Sequence, residues 1–178
     1  MATKAAPNRA GSFLRTVAIG ITMDANRAIV LAEYAPANDA ERTTLEAEWG
    51  RGQLDHHRDL LLQFLDRDRE EIVRLAGDPG NPFAVLDAVK QLIIEAGGVN
   101  HRAEVLDQLK PINAEIWIRG ERGECNRELI VHQWTWRHAR NWRRWRLKEY
   151  IFLVEKFAVE ITRRVASHQP PGSPPIHD

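Results

Sequence analysis

Four of the six tryptophans, Trp134, Trp136, Trp142 and Trp145, fall within twelve residues and are interleaved with Arg137, Arg140, Arg143, Arg144 and Arg146, with Lys148 following. Flat aromatic area beside forked guanidinium donors is what protein contact surfaces favour. It also suits single-stranded nucleic acid, where arginine grips phosphate and an indole stacks on a base. On a helix turning about 100° per residue, Trp134, Trp145, His138, Val131 and Trp142 span about 80° of arc. Arg137, Arg140, Arg144 and Lys148 occupy a separate cationic ridge, and Trp136, Leu129 and Leu147 form a second apolar ridge beside it.

The spacing therefore predicts a contact surface made of Trp134, Arg137, Arg140, Trp142, Arg144, Trp145 and Lys148. Trp134, Trp142 and Trp145 would be the anchors, and Arg137, Arg140 and Arg144 the clamps for anions or carboxylates. The competing reading packs both tryptophan ridges inside the fold, with the arginines lying on aromatic faces or paired with acids from elsewhere in the chain.

Signs of catalysis are few. The sequence has no phosphate-cradling glycine loop, dinucleotide fingerprint, His-Glu-x-x-His pair or nucleophile elbow. Glu124, Glu128 and His132 recur at four-residue steps and share a helix face, so they are candidate metal ligands. A carboxylate site in a bundle needs matching groups on facing helices and a Glu-x-x-His pair, which this chain lacks; Asp55, His56 and His57 are the available complement. The plainer role of Glu124 and Glu128 is to oppose the helix dipole in a first turn. Cys125, near the same helix start, is the single cysteine. It excludes an internal disulfide and fits a reducing, cytoplasmic setting. No cofactor is implied.

These residues need helices to position them. Of 178 residues, 43% are hydrophobic and 28% charged, with 25 bases against 25 acids, the composition of a globular protein with a real core. The balance hides a division: residues 24–123 hold 12 bases and 19 acids, whereas residues 124–166 hold 10 bases and 5 acids. Acidic and basic helices packed together would explain it, as would a basic face kept for an acidic partner.

Residues 1–23 carry Lys4, Arg9 and Arg15 without an acid and read as a basic, flexible arm. A transit peptide would be richer in serine, and Arg15 interrupts the apolar stretch of a secretory signal. Val17 to Met23 has the composition of a short strand. Residues 167–178, with Pro170, Pro171, Pro174 and Pro175, cannot propagate a helix and read as a disordered tail.

Residues 24–166 follow a helical period. Asp24 caps a first helix that breaks near Pro36, and a second runs from Asp39 to Trp49. Leu54, His57, Leu61, Phe64, Leu65, Ile72 and Leu75 predict one helix ending at Gly77, with Asp68 interrupting its apolar stripe. Asn81 and Pro82 start a helix that reaches Ala96 and buries Phe83, Leu86, Val89, Leu92 and Ile93. Asn100 starts the next, which Pro111 kinks or restarts. From Glu124 to about Ala166 neither Pro nor Gly occurs, so the chain forms one long helix or two joined by a bend. Tyr150, Ile151, Phe152, Leu153 and Val154 point in every direction around it and must be covered all round, by the bundle or by a second copy.

The expected fold is an all-α multi-helix bundle with a long C-terminal helix and no transmembrane segment, since a span needs about 20 apolar residues. The expected function is that of a non-catalytic binding or assembly subunit acting on a protein partner or on itself. Nucleic-acid binding through the same arginines is the second reading, and a metal-carboxylate enzyme the third.

Overall fold

The computed structural model describes residues 37–167. The arm, the strand over Val17 to Met23, the helix begun by Asp24 and the proline-rich tail lie outside the described residues. Those described form an all-α fold of seven helices with no strand. They are α1 (Asp39–Gly50), α2 (Asp55–Arg67), α3 (Arg69–Ala76), α4 (Pro82–Ala96), α5 (His101–Glu121), α6 (Arg127–Lys156) and α7 (Ala158–Ala166).

Side chains that satisfy the first free backbone amides set the helix starts. The Asn38 side-chain Oδ1 accepts from Glu41 N at 2.9 Å while the Glu41 carboxylate accepts from Asn38 N at 3.0 Å, closing a capping box. Asn81 accepts from Phe83 N and Ala84 N, with Pro82 at the first helical position as expected. Asn100 accepts from Ala103 N at 3.0 Å, and Asn126 accepts from Leu129 N at 3.1 Å.

Three expectations need correction. The single helix through Leu54 to Leu75 is two helices that meet at Asp68 (φ −103°, ψ 17°). The carboxylate of Asp68 takes two bonds from Arg67 Nε, so it turns outward to a partner and the chain turns with it. Pro111 does not restart its helix; α5 continues through it. Phe83, assigned to the core, is 80% exposed, and Val85 and Ala88 join Val89 and Ile93 there instead. Phe83 lies about 200° around α4 from Val85, on the side turned away from the core.

The C-terminal stretch is two helices bent at Phe157 (φ −105°, ψ 24°). The Phe157 ring meets Trp49 edge-on at 5.2 Å between centroids, and Arg58 lies 4.7 Å above it. Tertiary packing thus marks a bend that has no proline or glycine to announce it.

The interior is split. A main cluster joins α1 to α4, α7 and the C-terminal half of α6, centred on Leu61, Leu65, Val89, Ile93, Tyr150, Leu153 and Val154. All five residues from Tyr150 to Val154 are buried within the one chain. A second, smaller cluster of Ile112, Val131, Trp134 and Ala139 lies between α5 and the N-terminal half of α6. At about 1.5 Å per residue, the 30 residues of α6 run about 45 Å, and α6 reaches the main cluster only from Trp145 onward. Its N-terminal half and α5 therefore form an antiparallel hairpin extending from the bundle, with Arg119 bonded to Gln133 near the turn and Glu104 to Arg143 at the base.

The charge division along the sequence is largely settled by these contacts. Glu41 on α1 takes both Arg144, at 3.3 Å, and Lys148. Lys156 reaches Glu46 at 2.8 Å, Arg164 pairs with Asp66, and Arg58 with Glu160. The hydrogen bond from Lys148 holds the Glu41 carboxyl below its ordinary range.

Candidate functional site on the helical hairpin

Within α6 the structure divides the seven residues of the expected contact surface. Trp134 is only 8% exposed and packs in the hairpin core, its ring 5.5 Å from that of His138. Lys148 is buried against Glu41. Neither is offered to a partner by this subunit. Trp142 is half-buried beneath Arg146, whose guanidinium carbon lies 4.8 Å from the ring centroid. Trp145 is half-buried on the main cluster, and Arg144 is half-buried and paired with Glu41. Arg137 and Arg140 are exposed and form no ion pair with any described residue.

The tryptophan that does face outward is Trp136, 85% exposed. It lies opposite the ridge that meets α5, one turn from His132 and Arg140, with Arg137 adjacent and Leu129 two turns back on the same side. Both His132 and Leu129 are exposed. Of the seven large apolar side chains exposed among the described residues, five belong to the hairpin: Leu106, Trp117 and Ile118 on α5, Leu129 and Trp136 on α6. That concentration makes the hairpin, and not the bundle, the part with unsatisfied apolar surface.

The sequence placed Trp136 on a ridge with Leu129 and Leu147 and expected the other ridge to face outward. Only the packing of α5 decides which ridge is covered. Leu147 on the same ridge is fully buried because it lies past the point where α6 enters the bundle. Replacing Trp136 with alanine should leave the free energy of unfolding within about 0.5 kcal/mol of the parent, as for other exposed positions. The same change should remove the indole emission that acrylamide quenches most readily, and denaturant titration with quenching measures both.

The metal candidates are not assembled. Glu124 accepts from Arg119 Nε at 2.9 Å across the hairpin turn, and Glu128 and His132 are exposed with no facing helix to complete a set. No group of three or more His, Cys, Asp or Glu suited to a metal ion exists among the described residues. His57, the proposed complement, is buried beside Asp107, and His56 is exposed. Cys125 is exposed at the hairpin turn.

Sequence reasoning missed a buried polar layer that separates the two apolar clusters. At its base Arg143 and Glu104, each 1% exposed at the side chain, pair at 3.2 Å. Arg143 also donates to the Gly97 carbonyl, and Glu104 accepts from Val99 N at 3.0 Å. Gly98 (φ 147°) must lack a side chain here, because a Cβ would collide with the Glu104 carboxylate. Burial pushes the Glu104 carboxyl above its ordinary range despite the arginine. Higher in the layer, Arg146 Nη1 lies 3.1 Å from Glu149 Oε2, and Arg146 Nη2 lies 3.6 Å from Asp107 Oδ2. Asp107 Oδ2 is also 3.7 Å from His57 Nε2. Glu104 and Gln108, four residues apart in line with Ile112, were the available signal: polar residues on what is otherwise the apolar stripe of α5.

This is an all-α fold with a projecting hairpin. Comparison with known proteins matches no family model, no curated protein and no solved structure. No described helix is long and apolar enough to cross a membrane.

Proposed function

We propose that this chain is a non-catalytic binding or assembly subunit whose contact surface is the outer face of the hairpin, with Trp136 as the anchor and Arg137 and Arg140 flanking it. The exposure of Trp136 beside two cations with no described carboxylate partner supports this reading most directly. Covering one indole removes about 150 Å² or more from water, worth about 4 kcal/mol at 25 cal/mol per Å². A partner that offers an apolar pocket rimmed by carboxylates would match both the ring and the guanidinium forks. The partner is a protein, with a second copy of this chain included, in a reducing compartment where Cys125 stays a thiol.

Nucleic acid is the second reading, favoured by the same open indole and arginine pair. Against it, Arg143, Arg144, Arg146 and Lys148 already face internal carboxylates, which leaves a short cationic strip for a polyanion.

The test compares the parent with a Trp136→Ala, Arg137→Ser, Arg140→Ser variant of unchanged thermal midpoint. Under the assembly reading, sedimentation and copurification show a protein species, or a second copy, held by the parent and lost from the variant, with weak dependence on salt. Under the nucleic-acid reading, a single-stranded RNA or DNA oligonucleotide binds the parent at 50 mM salt and falls away by roughly tenfold or more at 200 mM, since each phosphate contact releases counterions. A variant that keeps every protein contact of the parent overturns the assembly reading.

A further inference from the structure

Above the Arg143–Glu104 pair, the polar layer brings together groups from three helices whose hydrogen bonds are only partly made. His57 comes from α2, Asp107 and Gln108 from α5, and Arg146, Glu149 and Tyr150 from α6. All but Asp107 are more than nine-tenths buried. Both amide atoms of Gln108, Tyr150 Oη, His57 Nδ1 and Arg146 Nε have no hydrogen-bond partner among the described residues. Buried polar groups in folded proteins are nearly always satisfied, so a concentration of open ones at one level of the core marks the place of something else.

We propose that this layer is an internal hydration site, with water bound between Gln108, Tyr150 and His57. The donor and acceptor pattern favours water over an ion. Gln108 presents two N–H donors and a carbonyl acceptor, Tyr150 presents one hydroxyl able to do either, and Glu149 presents an acceptor. Burial, with Arg146 close by, keeps His57 far below its ordinary value, at about 3, so the ring is neutral. With Nε2 toward Asp107, its Nδ1 is an acceptor that needs a donor. Water donates twice and accepts twice and fits this alternation, and buried waters typically make about three such bonds. The fixed charges leave no vacancy for an anion, because Asp107 and Glu149 already face Arg146. The Tyr150 ring meets that of His57 edge-on, 5.9 Å apart between centroids.

The test uses the full chain, isotope-labelled, with the water resonance as the probe. Magnetisation transfer from water is expected at the Gln108 side-chain amide with the sign of a water that tumbles with the protein, and it should weaken in Tyr150→Phe. Removing only one oxygen, that variant keeps the packing and should fold. Its thermal midpoint should fall by about 3 °C, because the site loses one anchor. Absence of transfer at Gln108 in the parent overturns the proposal. So does a rise in the midpoint of Tyr150→Phe, which would mean that the hydroxyl was dry and its removal a relief.

Discussion

Arg143→Leu is expected to cost about 3 to 5 kcal/mol of folding stability, the loss typical when one member of a buried ion pair is removed. The side chain is 1% exposed and ties the middle of α6 to Glu104 on α5 and to the Gly97 carbonyl that ends α4. Leucine would leave both oxygen groups without that donor. Glu104 would keep only its backbone bonds from Val99 N, at 3.0 Å, and Asn100 N, at 3.4 Å. Already pushed up by burial, its carboxyl would then fold in the protonated form, and the variant would lose further stability as pH rises. Adding Glu104→Gln, which keeps a carbonyl oxygen for Val99 N without a charge, should recover most of the loss. Urea titration of both singles and the double variant measures the coupling. A single variant within 1 kcal/mol of the parent would show that the pair does not hold the hairpin to the bundle.

Thermal stability should peak in mildly acidic solution and fall on both sides, because two groups of the polar layer bind protons differently in the folded and unfolded chain. His57 takes a proton near pH 6.5 when unfolded, but the folded site, through burial and the nearby Arg146, His56 and Lys110, refuses it until about 3 even with Asp107 opposing. Below pH 6.5 the unfolded state therefore binds the extra proton, and stability falls as pH falls, by about 3 kcal/mol at pH 4 from this group. Glu149 behaves in the opposite sense. Burial, with Glu48 and Asp107 nearby and Arg146 opposing, raises its carboxyl to about 7. Its contribution is fully present below its unfolded value of 4.5 and is lost as pH rises through 7, by about 3 kcal/mol at pH 8.

Carboxylates held below their ordinary range, among them Glu41 and Asp66 with their hydrogen-bonded Lys148 and Arg164, steepen the acid side further. Comparison of variants separates them: His57→Gln should flatten the acid limb, and Glu149→Gln the alkaline limb, each leaving the other limb in place. Midpoints measured from pH 4 to pH 8 check this. An alkaline limb unchanged in Glu149→Gln would show that Glu149 is ionised throughout.

The helical segments were legible because their signals are local. Asn81 before Pro82, Asn100 before His101, and the glycines after Ala76 and Ala96 act through the backbone of their own turn. The apolar run from Tyr150 to Val154 announced all-round burial for the same reason, since five consecutive residues point in every direction of a helix. The charge division of the chain allowed either internal pairing of acidic and basic helices or a basic face for an acidic partner, and within the fold Glu41, Glu46 and Glu104 do meet Arg144, Lys148, Lys156 and Arg143.

By itself, then, the sequence determined an all-α chain, its helix starts and the unusual tryptophan and arginine content of α6. It did not determine which ridge of α6 is covered. A helix with two apolar ridges has two ways to pack, and only the position of α5, the other arm of the hairpin, covers Trp134 and leaves Trp136 open. The polar layer was hidden for the same reason: His57, Gln108, Arg146, Glu149 and Tyr150 come from three helices and become one site only when those helices pack. Burial and charge pairing are properties of that packing, and no window of local sequence contains them.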